Sequence, residues 1–170
     1  GVIDPDNDRR ILGNPFPNFS FGINLGAQFK GFDLVAFIQG LSGINRWNWY
    51  NNEYNSEANF TKSVKDHWSE DNREAQFPRL GNTTNNNEYS SFWLIDASYL
   101  RLKHLGIGYN LPVSITQKLS FDDIRIYFAG YNMFTITKMK DFDPERATGD
   151  NRNAGYPQMK NYALGISLKF

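Results

Sequence analysis

The sequence predicts an all-β protein made of antiparallel transmembrane strands that belong to the wall of a barrel. Three observations carry that expectation. Phe19 to Phe29 alternates at all eleven positions, with Phe19, Phe21, Ile23, Leu25, Ala27 and Phe29 set against Ser20, Gly22, Asn24, Gly26 and Gln28; that is the length and period of a membrane-crossing strand. Tyr162, Leu164, Ile166, Leu168 and Phe170 repeat the pattern against Ala163, Gly165, Ser167 and Lys169. Short connections also alternate with long ones along the chain, as they do when turns gather at one membrane surface and loops at the other.

Composition narrows the class. The 170 residues hold 18 basic and 18 acidic side chains, so the basic excess of a nucleic-acid binder is missing and no nucleic acid is expected as a partner. There is no cysteine, which excludes disulfides, thiolate metal sites and a cysteine nucleophile. No run of eighteen apolar residues reads as a transmembrane helix. Transmembrane strands escape that test because their outward and inward residues alternate. Aromatics reach 16%, which suits strands and membrane interfaces. A soluble β-protein that binds an apolar ligand or a partner explains the alternation equally well. It accounts less well for three phenylalanines opposite so much glycine.

The elements follow in order. The first strand, about 18–30, meets a tight turn at Lys30-Gly31 and returns over about 32–40, a hairpin; Val35 and Phe37 blur its second face. A third strand lies within 93–111 and stops at Pro112, which cannot donate to a ladder. A fourth covers about 123–138, its faces indistinguishable beyond Gly130, and the fifth covers about 160–170. The long connections, about 1–17, 40–92 and 138–160, are assigned to the extracellular side, so the chain runs down, up, down, up and down. Five strands cannot close a bacterial barrel, which needs an even number of eight or more. Gly1-Val2-Ile3-Asp4 has neither a basic nor an apolar leader region, so the chain is expected to begin partway into a larger precursor. Phe60, Val64 and Trp68 fall at i, i+4 and i+8, which predicts a short helix in the longest loop.

Several fragments together carry a family resemblance. They are Ile11-Leu12-Gly13-Asn14-Pro15, Phe77-Pro78-Arg79-Leu80, Tyr89 to Leu105, Gly108-Tyr109-Asn110-Leu111-Pro112, Tyr131-Asn132-Met133-Phe134-Thr135, Asp143-Pro144-Glu145 and Tyr156-Pro157-Gln158. In order and spacing they resemble the C-terminal signature of the SusC/RagA family of TonB-dependent transporters. The resemblance implies the last five strands of a 22-stranded outer-membrane barrel closed by an N-terminal plug. It further implies a SusD-like surface lipoprotein, energising contact with TonB through the part absent here, and uptake of an oligosaccharide or peptide substrate.

Site candidates are few. Asp4, Asp6 and Asp8 alternate like calcium ligands, but Arg9 and Pro15 stand where such a loop needs glycine and glutamate, so a solvated loop is expected. His67 and His104 lack zinc-site spacing, with His104 expected toward the lumen. With no nucleophile elbow, phosphate loop or carboxylate pair, the chain is expected to be no enzyme and to hold no cofactor. Trp47, Trp49, Tyr50 and Tyr54 mix flat rings with donors, a combination that suits sugar or peptide contacts, a partner protein, or internal packing on the barrel rim. Tyr162, Leu164, Ile166, Leu168 and Phe170 look like a C-terminal assembly signal. Their alternate side chains point one way, so a single groove on an assembly factor can read them together.

Overall fold

The computed structural model describes residues 4, 6–47, 62–80, 90–139, 142–145 and 158–170. Its body is a five-stranded antiparallel sheet of β1 (Phe19–Phe29), β2 (Phe32–Ser42), β5 (Tyr99–Asn110), β6 (Asp123–Thr137) and β7 (Asn161–Lys169), in the order β1-β2-β5-β6-β7. Each strand lies beside its neighbour in the meander. Two short strands, β3 (Asn45–Trp47) and β4 (Leu94–Asp96), pair with each other outside this sheet.

Local chemistry sets the connections. Lys30 (φ 47°) and Gly31 (φ 85°) both take left-handed backbone, which a two-residue hairpin turn requires. Gly31 is the residue that adopts it without cost, and a Cβ there would lie 2.8 Å from the Asn110 carbonyl oxygen. The β5–β6 connection is short, but it contains a helical turn, α1 (Val113–Thr116), because Pro112 fits the start of a helix better than it fits a ladder.

Register makes one face of the sheet apolar across every strand. Leu25 pairs with Ala36, Ala36 with Leu105, Leu34 with Ile107, Ile107 with Phe128, and Phe128 with Leu164. No layer covers this face among the described residues: Leu25, Leu164 and Ile166 are 50%, 83% and 66% exposed. Aromatics crowd its turn end, where Phe32 meets Tyr109 at 4.3 Å and Phe121 meets Phe170 at 5.0 Å between ring centroids. Phe19 and Phe21 stack at the loop end.

Two clusters of buried apolar side chains lie mainly in the connections at the loop end of the sheet. Phe77 and Trp93 pack with Trp47, Leu80 and Phe142, while Ile44, Ala97 and Met139 pack with Leu41, Ile95 and the same Phe142. Phe142 therefore joins segments from both long connections.

One expectation is sharpened here and one corrected. The strand expected within 93–111 is β5, and the residues before it turn aside: β4 pairs with β3 outside the main sheet, and the Asp96 carboxylate accepts the Ser98 N–H at 3.0 Å before β5 begins. Where a helix carrying Phe60, Val64 and Trp68 was expected, the described residues form a 3-10 turn, Lys62–Lys65. Trp68 lies beyond that turn, its N–H bonded to the Phe77 carbonyl at 2.8 Å, so an extended bridge prevails over the helical spacing. Phe60 lies outside the described residues.

Candidate functional site on the polar face of the sheet

The opposite face of the sheet carries small and polar residues on β1 and a mixture of apolar and polar ones on β2. Ser20, Gly22, Asn24, Gly26 and Gln28 of β1 lie beside Leu41, Gln39, Phe37, Val35 and Asp33 of β2. Across β5, β6 and β7 the same face continues through Gly106, Ala129 and Ala163 in one row. It is smooth in the middle and charged above and below.

The lower charges form a strand-to-strand brace. Arg125 on β6 donates to Asp33 on β2 at 2.7 Å, reaching over β5 at Gly108. Only glycine leaves room, since a Cβ at position 108 would lie 2.3 Å from both partners.

A β-bulge sets up the upper cluster. Lys103 is unpaired between the pairs Phe37↔His104 and Ile38↔Leu102, so Lys103 and His104 both present to the polar face. His104 lies against Tyr131, ring centroids 4.9 Å apart. Opposite, Asn132 takes φ 51° and donates its amide to the Met159 carbonyl.

On this face Arg101 donates Nη2 to Asp143 at 2.8 Å, Nη1 to Glu145 at 2.7 Å and Nε to the Thr135 hydroxyl at 2.7 Å. The Tyr99 hydroxyl donates to Glu145 at 2.9 Å, and Lys103 donates to Glu145 at 2.9 Å and to the Gln158 side chain at 3.3 Å. Side chains of Arg101, Asp143 and Glu145 are only 5%, 4% and 9% exposed. Two cations face two carboxylates, so the charges cancel and the donors are matched. Burial alone would raise the Asp143 carboxyl. Hydrogen bonds from Arg101 and from the Gln158 and Glu145 N–H groups outweigh burial and hold it below its usual range. The arrangement fastens the β6–β7 connection to the sheet at Asp143, Glu145 and Gln158, with both carboxylates engaged by cations.

Sequence reasoning overlooked this cluster. Its signal was present in Arg101 and Lys103, two cations inside a strand, whose burial demands partners.

The predicted sites are distributed otherwise. Trp47 is half-buried in the loop core beside Phe77 and Trp93, whereas Trp49, Tyr50 and Tyr54 lie outside the described residues. Tyr162, Leu164, Ile166 and Leu168 share the apolar face of β7, and the Phe170 ring rests near Phe121. Asp4 closes a turn, accepting the Asp6 N–H at 3.0 Å; that bond, followed by the Asn7 amide, lowers its carboxyl. His67 forms a backbone bridge to Phe77.

No family model matches the chain. It is similar to TonB-dependent receptor P3 of Formosa agariphila, 32% identical over 96% of this chain and 17% of that protein. It is also similar to TonB-dependent receptor SusC of Bacteroides thetaiotaomicron, 28% identical over 100% of this chain and 17% of that protein. Among solved structures, the RagAB peptide transporter superposes with a TM-score of 0.74 at 34% identity, covering 99% of this chain and 19% of that chain. The RagAB peptide importer in its closed-closed state gives a TM-score of 0.71 at 32% identity over 100% of this chain and 20% of that chain. The chain thus spans about a fifth of the length of the relatives it matches.

Proposed function

The chain belongs to the SusC/RagA-type family of TonB-dependent receptors, and from that membership we propose that it forms part of the wall of an outer-membrane nutrient importer. The observation that carries the reading is the two-faced sheet: an unbroken apolar face on every strand, backed by a face of glycines, amides and matched charges. In this reading the apolar face meets outer-membrane lipid. The polar face lines the lumen against a plug supplied by the rest of the receptor. TonB acts through that remainder, and a SusD-like lipoprotein covers the loop side. The cargo is a peptide or an oligosaccharide; the names of the similar solved structures favour a peptide. Trp49, Tyr50 and Tyr54 remain the proposed loop contacts for substrate or lid, with Trp47 shaping the loop core beneath them.

The test is positional. In the full-length receptor, Leu164→Arg places a charge in lipid near mid-strand and should cost about 2–4 kcal/mol of folding stability, whereas Ser167→Arg faces the lumen and should cost much less. Equal penalties, measured by unfolding in lipid vesicles, would mean that both faces are buried in protein.

The apolar face of β7 together with Phe170 is also proposed as the segment captured during barrel assembly. Phe170→Ser should lower membrane insertion while leaving the inserted barrels nearly as stable as before. Normal insertion with slightly lower stability would instead assign Phe170 as an anchor packed on Phe121.

A further inference from the structure

The β5–β6 connection exposes more apolar surface than a turn needs. Val113, Ile115 and Leu119 are all exposed within seven residues, while Thr116 between them is buried. Its path is fixed by the backbone. After α1 comes a 3-10 turn, Gln117–Leu119, and Ser120 takes left-handed backbone (φ 62°) to send the chain into β6. The Ser120 N–H donates to the Gln117 carbonyl at 3.2 Å and the Phe121 N–H to the Thr116 carbonyl at 3.0 Å. Register shows which side of the wall this connection covers. Ile124 and Ile126 share the apolar face of β6, opposite Leu168 and Ile166 of β7, yet Ile126 is 46% exposed and Ile124 only 6%. Strands flank both residues, so the extra cover over Ile124 comes from beyond the ladder. There α1 packs against β6, and the Phe121 ring lies 5.0 Å from that of Phe170.

We propose that this connection is an interfacial membrane anchor: Val113, Ile115 and Leu119 enter the headgroup–acyl boundary of the periplasmic leaflet, and phospholipid is what covers them. Continuity chooses that occupant. The exposed surface runs on from the apolar face of the sheet, through Ile124 and Phe121, into the connection. The aromatic pairs Phe32–Tyr109 and Phe121–Phe170 crowd the same end, and such rings settle at the level of the headgroups. Charge agrees with position. Lys118 stands between Ile115 and Leu119 and is exposed; a lysine at such a boundary lays its stem on apolar surface while its ammonium reaches a lipid phosphate. Apolar side chains toward the acyl region and basic ones toward the headgroups are the composition of an element lying in the interface. The inference rests on the apolar face being the lipid face, and extends it past the strands to a connection that a barrel otherwise leaves in water.

The test uses the full-length receptor in vesicles of phosphatidylethanolamine and phosphatidylglycerol. A nitroxide is attached through Val113→Cys, Ile115→Cys, Leu119→Cys or, as the mid-strand reference, Leu164→Cys, with folding verified by the heat-shifted gel mobility of the intact barrel. Collisions with oxygen, which concentrates in lipid, are compared with collisions with a water-soluble nickel chelate, and their ratio converts to a depth. Labels at 113, 115 and 119 should favour oxygen and read a depth of about 5–10 Å into the boundary, the depth of an interfacial element, with the label at 164 deeper. If the three labels favour nickel while the one at 164 favours oxygen, the connection lies in water: the anchor fails and the wall reading stands. If the three collide little with either reagent, protein covers them and the anchor fails as well. If the label at 164 does not favour oxygen, the lipid-face reading falls and the anchor falls with it.

Discussion

Two ion-pair groups lie on the same polar face of the sheet, one on each side of the Lys103 bulge, and they hold different things together. The lower pair, Asp33–Arg125, joins two strands that already share β5 as a hydrogen-bonded neighbour, and its side chains are 19% and 35% exposed. The upper group joins a strand to a loop with side chains of Arg101, Asp143 and Glu145 no more than 9% exposed. If the lower pair separates, the ladder remains and water reaches both charges. If the upper group loses one member, the others are left buried beside an unmatched charge. One is a brace and the other a tether.

The largest effect is expected at Arg101. Arg101→Ala strips Asp143 of its cation and leaves Glu145 with Lys103, so it should cost roughly 3–5 kcal/mol, the usual penalty for breaking a buried pair from one side. The loss should appear as fast hydrogen exchange at residues 142–145 and 158. Protection there unchanged from wild type would show that the loop is held by its apolar contacts through Phe142 alone. Acid should act more gently at the same place. Asp143 is held below its ordinary value of 3.8, so its contribution is fully present above that value and lost as pH falls through the lower folded one. The tether should therefore be indifferent between pH 5 and 8 and loosen only below about pH 4. Loosening near neutrality would point to another group.

The two halves of the sheet differ in legibility for the same reason that they differ in chemistry. Phe19–Phe29 and Asn161–Lys169 are regular, so a period of two reveals their faces directly. At the bulge, Lys103 and His104 share a face, and near Asn132 the left-handed backbone leaves Asn132 and Met133 unpaired. There the period slips, which is why the faces after Gly130 could not be separated by pattern. The candidate site sits at that slip. Its anions, Asp143 and Glu145, lie 42 and 44 residues from Arg101, a distance over which no periodicity pairs them. Asp143-Pro144-Glu145 was visible as part of a family resemblance, but its role as the loop's half of the tether needed coordinates. Trp47 shows the converse: its residue type suited binding, and its position is in the loop core.

A smaller effect is expected at Gly108, which sharpens the reading of the lower pair as a brace. Gly108→Ala puts a methyl group where Arg125 and Asp33 meet, and both side-chain ends are flexible enough to move aside. Stability should fall by less than in Arg101→Ala. Most of that loss should vanish when Asp33→Ala and Arg125→Ala are also present, because nothing then occupies the space. An equal loss with and without the ion pair would place the strain in the β5 backbone.

The smallest effect is expected at Lys138, whose Nζ lies 3.2 Å from Asp96 in the loop region. By distance alone it resembles the other pairs, but the Lys138 side chain is 80% exposed and Asp96 38%. Exposed pairs gain little in high dielectric and lose side-chain entropy on forming, so their net value is about 0–1 kcal/mol. Asp96 is also held by something stronger. Hydrogen bonds from the Ser98 side chain and N–H are the leading causes of its lowered carboxyl, ahead of Lys138. Ser98 in turn accepts the Gly43 N–H on its hydroxyl, and its carbonyl accepts the Thr137 hydroxyl. Lys138→Ala should therefore shift thermal unfolding of the full-length receptor barely at all, while Ser98→Ala, which removes the hydroxyl from Asp96 and Gly43, should shift it more. If Lys138→Ala destabilised as much as Arg101→Ala, burial would not be what separates a tether from a passing surface contact.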